Sequence, residues 1–103
     1  MDTITLKDKI SFSKEGPKKE ILYDSEKARA VLFCLEPGQG VGPHSVASEV
    51  ALLAIDGKGV FVTGNGEKEA DKGSLVVCRV NEQHGIKAKD ERFVVLVVIS
   101  PKP

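Results

Sequence analysis

The hydrophobic residues of the chain fall into short runs rich in Val, Ile and Leu, which are separated by Gly, Pro, Asn and Asp residues. Runs of this length and composition, bounded by turn-forming residues, predict β-strands. No long stretch carries apolar residues at helical spacing, so the pattern predicts an all-β fold, an antiparallel sandwich or barrel. The predicted strands are approximately residues 21–23, 30–35, 50–55, 59–63, 75–80, 85–88 and 93–99.

Two connections between these runs have a predictable form. Gly64-Asn65-Gly66 separates two segments, and Gly and Asn tolerate the positive φ that a tight hairpin requires. We therefore expect a hairpin there. Residues 24–30 offer a capping residue and polar helix formers but no apolar stripe, so they predict a surface turn rather than a helix.

The last apolar run is the longest, with seven consecutive apolar residues. Residues 93–99 read FVVLVVI, so both faces of this strand must be covered. The pattern predicts no helix to cover the outer face, and an exposed apolar strand promotes aggregation. We expect a second copy of the protein to cover it in a homodimer. The alternative is that the N-terminal arm, residues 4–12, folds across the same face.

Length and charge narrow the class of protein. A chain of 103 residues is the size of one domain with its own core, so we expect a single domain over residues 1–103. Fifteen basic and fifteen acidic residues give a formal net charge of zero, which predicts no binding to nucleic acid or to a membrane surface. No run resembles a signal peptide or approaches the ~20 apolar residues that span a bilayer. The expected location is cytoplasmic.

The two cysteines, Cys34 and Cys78, each lie inside an apolar, strand-like run. In such a position a buried, reduced thiol is commoner than a disulfide. We therefore expect no crosslink between them.

Two blocks of the sequence carry glycine and histidine at a spacing that resembles the two motifs of the cupin superfamily. The first motif of that family runs glycine, five residues, His-x-His, three or four residues, glutamate, six residues, glycine. In this chain His44 follows Gly38 after five residues, and Gly57 closes the block. Val46 stands where the family has its second histidine, and Val50 stands where it has the glutamate.

The second block resembles the motif glycine, five residues, Pro-x-Gly, two residues, His, three residues, Asn. Gly73 and His84 keep that spacing, whereas Arg79, Asn81 and Ala88 replace the proline, the glycine and the asparagine. The resemblance extends over about residues 32–101. It implies an antiparallel double-stranded β-helix, the jelly-roll barrel of the cupins, with a metal-binding motif that is incomplete.

The changed positions bear on what the barrel would bind. Residues at i, i+2 and i+6 of one strand share a face, so we expect His44, Val46 and Val50 to face the interior. A first-row metal in such a site usually takes three or four imidazole and carboxylate ligands, and two histidines alone bind weakly. Two valines also make the wall apolar, which favours an uncharged, apolar ligand. The predicted ligand-binding residues are His44, Val46, Val50 and His84.

His44 and His84 are also the candidate ligands of a weakly bound divalent transition metal, with no cofactor as the alternative. Glu49 lies one position from the family's glutamate, and only a β-bulge near residues 47–48 would turn it inward. Ser48 has the inward parity, but a neutral hydroxyl is a poor metal ligand. Cys34 and Cys78 are soft donors that suit zinc or copper, or else small buried hydrophobes.

Three functions are compatible with these residues. The preferred one is a barrel that binds a small molecule, in which the two valines contact an apolar ligand and the two histidines orient its polar end. The second is a metal-dependent cupin enzyme, an oxygenase or isomerase, in which water, Glu49 or a cysteine completes the metal shell. The third is a non-catalytic dimeric scaffold. Fold resemblance alone does not choose between them.

Overall fold

The computed structural model describes residues 2–102, which form seven β-strands and one short 3-10 helix. All strand pairs are antiparallel, so the predicted all-β class is confirmed. No helix within residues 2–102 has the length and hydropathy to cross a membrane. The 3-10 helix spans Leu6–Lys9, and the strands are β1 (Lys18–Asp24), β2 (Arg29–Leu35), β3 (Gly40–His44), β4 (Glu49–Thr63), β5 (Gly66–Asp71), β6 (Leu75–Cys78) and β7 (His84–Ser100).

The two longest strands, β4 and β7, each unite two of the predicted runs and bend between them. Residues 49–54 of β4 pair with residues 95–100 of β7, and residues 59–63 pair with residues 84–88. The pairing register shifts between Ala54 and Gly59, where the strands bend. The first set of pairs belongs to a main sheet of β6, β4, β7, β2 and β1, and the second to a small sheet of β5, β4, β7 and β3.

A glycine makes this bend possible. Gly57 has φ +79°, which a side chain disfavours, and a Cβ atom at this position would lie 1.9 Å from the carbonyl oxygen of Arg92 on β7. The close approach of the two backbones therefore requires glycine. Bending both long strands at one point folds the main sheet over the small sheet and encloses the core between them.

The hydrophobic pattern does not predict two of the strands, β3 and β5. β5 reads GEKEAD and buries only Ala70, and β3 reads GVGPH and buries no residue fully. Both are edge strands whose pairing comes from the backbone, so they lack the apolar runs that mark the others. The predicted hairpin is confirmed, since Thr63 pairs with Gly66 across the β4–β5 turn. The predicted surface turn is confirmed in the β1–β2 connection, where the Ser25 N–H donates to the Ala28 carbonyl at 2.9 Å.

The core lies between the two sheets and is densest beside the bend. Phe61 of β4 and Phe93 of β7 are fully buried there, with ring centroids 5.8 Å apart. Aliphatic side chains of β2, β4, β6 and β7 surround them. Cys78 belongs to this core, and Cys34 lies on the other face of the main sheet. Both cysteines are buried free thiols, as predicted, and burial raises the pKa of each.

The N-terminal arm covers part of the outer face of the main sheet. Ile10 and Phe12 pack against a small cluster formed by Leu32, Cys34 and Val94. This contact is the one foreseen as the alternative to a dimer for residues 4–12. The cluster also takes in Leu96 of β7 and Ile55 of β4, and apolar rows continue from there to β6. Within those rows, Leu75 and Val77 of β6 are 60% and 51% exposed.

Candidate functional site

The two histidines of the chain meet at one end of the small sheet. His44 is the last residue of β3 and His84 the first residue of β7, and the two are paired across the sheet. Their ring centroids lie 4.4 Å apart with an angle of 64° between the ring planes. The predicted convergence of the two imidazoles is therefore present in the fold.

Glycine again permits the close approach. Gly42 has φ +77°, and the β3–β7 register shifts between Val41 and His44. A Cβ atom at position 42 would lie 2.9 Å from both the His84 carbonyl oxygen and His44 Nδ1. A side chain at this position would push the two imidazoles out of their present arrangement.

The two histidines have different environments. His84 is 4% exposed, and its Nδ1 lies 3.4 Å from the Glu82 carbonyl oxygen. Burial lowers the pKa of His84, and the charge of His44 lowers it further, against the opposing effect of the Glu82 carbonyl. His84 is therefore neutral near pH 7, with its proton favoured on Nδ1 and Nε2 left as an acceptor. His44 lies exposed at the surface.

A cavity of about 370 Å³ opens beside the imidazole pair, between the two sheets. Its wall is mostly aliphatic and aromatic, with the imidazoles and two cationic side chains as its charged or polar members. No Asp or Glu of residues 2–102 lines it. The lining residues are Lys19, Arg29, Val31, Phe33, Val41, His44, Val46, Leu52, His84, Gly85, Ile86, Val97 and Ile99.

The two valines of the altered motif occupy different places. Val46 lines the cavity beside His44, whereas Val50 is 1% exposed in the core and is not part of the cavity wall. Val50 faces the interior, as expected, but the three residues do not lie on one strand, because β3 ends at His44 and β4 begins only at Glu49. The intervening chain leaves the strand path, since Val46 accepts a hydrogen bond from the Asn81 N–H and Ser48 donates one to the Pro101 carbonyl.

The residues present do not fit the three-ligand metal centre that the cupin resemblance implies. Within residues 2–102, no group of three His, Cys, Asp or Glu side chains comes close enough to hold one ion. Glu49 points away and lies 3.6 Å from Arg79, with its side chain 56% exposed. Cys78 lies in the core and Cys34 beneath the N-terminal arm. The two imidazoles therefore lack a third protein ligand.

Sequence reasoning missed the two cations at the cavity. Lys19 of β1 pairs with Phe33 of β2, whose ring faces the core, and Arg29 begins β2. The Lys18-Lys19 pair is visible in the sequence as the chain's only adjacent lysines, but its pattern is typical of a solvated surface cluster. Only the strand register shows that Lys19 turns toward the cavity while Lys18 faces the outer side.

No protein-family model and no curated protein matches the chain. Solved structures do match. An RmlC-like cupin protein from Desulfovibrio desulfuricans is 28% identical, with 98% of this chain and 97% of that chain covered and a TM-score of 0.88. The TT1209 protein from Thermus thermophilus is 26% identical over the whole of both chains, with a TM-score of 0.94. A cupin superfamily protein from Desulfitobacterium hafniense is 17% identical, with 98% of this chain and 92% of that chain covered and a TM-score of 0.85. The cupin fold is thus confirmed.

Proposed function

We propose that this chain, a small barrel of the cupin fold, binds a small apolar molecule in the cavity between its two sheets. The observation that carries the proposal is the cavity of about 370 Å³, which has an apolar wall and two imidazoles at its edge. Binding cavities typically enclose ~300–1,000 Å³ and combine an apolar wall with a few polar groups that orient the ligand. This cavity has both properties.

The two imidazoles supply the orienting groups. Exposed His44 can donate to or accept from a ligand that enters the cavity, and buried His84 keeps Nε2 as an acceptor while Nδ1 faces the Glu82 carbonyl. Val46 adds apolar contact beside them. A ligand with one hydrogen-bonding group and an apolar body matches this arrangement.

A weakly bound divalent transition metal on His44 and His84 stays a prediction of the sequence, as does binding without any cofactor. Two imidazoles without a carboxylate bind metal weakly, and no third ligand is at hand within residues 2–102. We therefore base no reaction step on a metal. Elemental analysis of protein purified without an affinity tag tests whether metal binding is weak. Near-stoichiometric metal that is lost in a His44→Ala/His84→Ala variant would show tight binding by the two histidines.

Octan-1-ol tests the cavity, because it is neutral, largely apolar and small. We expect it to raise the unfolding temperature by mass action. It should also shift the backbone amide resonances of cavity residues such as Phe33 and Gly85 in ¹H–¹⁵N spectra. These two measurements report stabilisation and location independently.

A cavity-filling variant provides the control. Val46→Phe places a ring in the cavity, so we expect it to weaken octan-1-ol binding by about tenfold or more, which corresponds to ~1.4 kcal/mol. Val80→Phe makes the same change on an exposed turn outside the cavity and should leave binding unchanged. Octan-1-ol that neither stabilises the protein nor shifts cavity resonances would contradict the proposal and favour the scaffold alternative.

We infer further that the protein is a homodimer in which a second copy covers the outer face of the main sheet. Two apolar rows cross this face in register: Leu75, Leu53, Leu96 and Leu32 in one, and Val77, Ala51, Val98 and Ala30 in the other. The cluster beneath the N-terminal arm takes in Leu32 and Leu96, and the β6 end of the rows is exposed. The rows contain no charge that would select a different charged partner, whereas a two-fold axis would place each row against its own equivalent.

Size-exclusion chromatography with light scattering tests the dimer. We expect twice the chain mass of 11.1 kDa. Val77→Lys, at the exposed β6 end of one row, should shift the protein to the monomer, while Val80→Lys, outside the rows, should not. A wild-type protein that elutes as a clean monomer would end the dimer proposal without touching the cavity proposal.

A further inference from the structure

The charged residues that line the cavity are all of one sign. Lys19 and Arg29 line it from the main sheet, and no Asp or Glu of residues 2–102 does so. The whole chain has equal numbers of basic and acidic residues, so this imbalance is local. An empty cavity with an apolar wall gains nothing from two cations at its edge, whereas an anionic ligand does.

Lys19 is available to a ligand. It lies on the cavity side of β1, opposite Phe33 of β2, and it is exposed to solvent. A lysine in such a place can lay its aliphatic stem on an apolar wall and keep its ammonium group in water. The ion pairs formed within residues 2–102 do not include it. Its neighbour Glu20 faces the outer side, where it lies 3.8 Å from Lys9.

Arg29 is held in place but not neutralised. Its Nε lies 3.4 Å from Oδ1 of Asp24, and the Lys102 Nζ lies 3.1 Å from the same oxygen. The single Asp24 carboxylate therefore pairs with two cations, so Asp24, Arg29 and Lys102 together have a net positive charge. A guanidinium has five N–H donors, so the pair with Asp24 leaves most of them for another acceptor.

We infer that the ligand of this cavity is an acid with an apolar body, whose carboxylate is attracted by the positive charges of Lys19 and Arg29 and whose hydrocarbon part contacts Phe33 and Val46. This inference rests on the proposed function and narrows it to one class of ligand. The expectation of an uncharged, apolar ligand then applies to the hydrocarbon part, which lies inside the cavity. The head group at the opening carries the charge.

A second depression of the molecule shows that cations alone do not mark this site. Lys58 and Lys89 line a hollow of about 360 Å³ beside the bend, but four carboxylates line it too: Glu69, Asp71, Asp90 and Glu91. The charged lining residues of this hollow therefore have a net negative charge. Its uncharged lining residues are only Gly59 and Ala70, whereas large aliphatic side chains line the cavity. Of these two hollows within residues 2–102, the histidine-bearing cavity is the one that combines an apolar wall with lining charges of one sign.

The test compares three probes of equal chain length by titration calorimetry: octanoate, octan-1-ol and octylamine. We expect octanoate to bind about tenfold or more tighter than octan-1-ol, because charge-assisted hydrogen bonds to Lys and Arg are roughly twice as strong as neutral ones. Octylamine should bind more weakly than octan-1-ol. Added salt should weaken octanoate binding and leave octan-1-ol binding nearly unchanged.

Charge-matched variants locate the effect. Lys19→Gln/Arg29→Gln should reduce the advantage of octanoate over octan-1-ol, both measured on that variant, to about twofold or less. Lys18→Gln/Lys27→Gln removes the same charge from the outer face of β1 and the following turn, and should keep the full advantage. Octanoate that binds no tighter than octan-1-ol, or an advantage that survives Lys19→Gln/Arg29→Gln, overturns the inference but leaves the proposed function. Failure of every probe to bind overturns both.

Discussion

The bend and the cavity both involve β4 and β7, with β1, β2 and β3 also lining the cavity, but side chains fill the space at the bend and leave it open at the cavity. At the bend, β4 and β7 approach so closely that Gly57 admits no side chain, and Phe61 and Phe93 fill the space behind it with no exposed area. At the cavity, residues of the same strands leave about 370 Å³ open. The difference indicates that packing at the bend stabilises the barrel, so the cavity end can keep unfilled space and unpaired charge for a ligand.

The strongest test of this comparison removes an equal side chain from each region. Phe93→Ala empties a fully buried site at the bend, and we expect a loss of about 3–5 kcal/mol in the free energy of unfolding. Phe33→Ala removes a partly exposed ring that already borders the cavity, and we expect a loss of only about 1–2 kcal/mol. Chemical unfolding of both variants measures the contrast. Equal losses would mean that the cavity wall stabilises the fold as much as the bend does.

Glycine substitutions sharpen the comparison at the level of the backbone. Gly57→Ala meets the Arg92 carbonyl at 1.9 Å, so we expect a loss of about 2–4 kcal/mol from displaced backbone and a strained positive φ. Gly38 has a similar φ of +85° with open space around its Cβ position, so Gly38→Ala should cost about 1–2 kcal/mol from strain alone. The difference between the two variants, measured by urea unfolding, isolates the close contact at the bend. Equal costs would show that the bend relaxes without penalty.

The same contrast explains which strands the sequence predicts well. Strands of the main sheet bury aliphatic side chains, so the apolar runs at residues 30–35 and 93–99 are enough to identify them. The pattern predicts two separate strands on either side of the bend because Asp56 and Lys58 interrupt the apolar run, although the backbone continues through them. β5 has no counterpart among the predicted strands, because an edge strand with one buried residue carries almost no hydrophobic signal.

The candidate site is only half predictable for a similar reason. Glycine and histidine spacing identifies His44 and His84, since the resemblance carries both their fold position and their chemistry. Val50 faces the interior as expected but lies in the core and not in the cavity wall, since the chain leaves the strand path between His44 and Glu49. No residue pattern indicates the hydrogen bonds that Val46 and Ser48 make there. The position of Lys19 at the cavity depends on which residue of β2 it pairs with, a register that composition does not reveal.

The smallest expected effect concerns the pH dependence of stability at the cavity end. Burial, with a contribution from the charge of His44, lowers the pKa of His84 in the folded protein below its ordinary value of 6.5. As the pH falls below about 6.5, the unfolded chain takes up a proton at this position before the folded chain does, so the free energy of unfolding decreases. The stabilisation is complete above that pH and is lost toward the folded pKa.

Urea unfolding at a series of pH values between about 7.5 and 5 measures this slope. The carboxyl groups with lowered pKa, Asp24, Glu36 and Glu67, act in a more acidic window, because their ordinary values are 3.8 to 4.5. His84→Gln should therefore flatten the slope near pH 6, and His44→Gln should reduce it only in part, because burial of His84 remains. A slope that persists unchanged in His84→Gln would mean that the buried imidazole is not what makes the cavity end sensitive to acid, and that the two ends of the barrel differ in packing but not in titration.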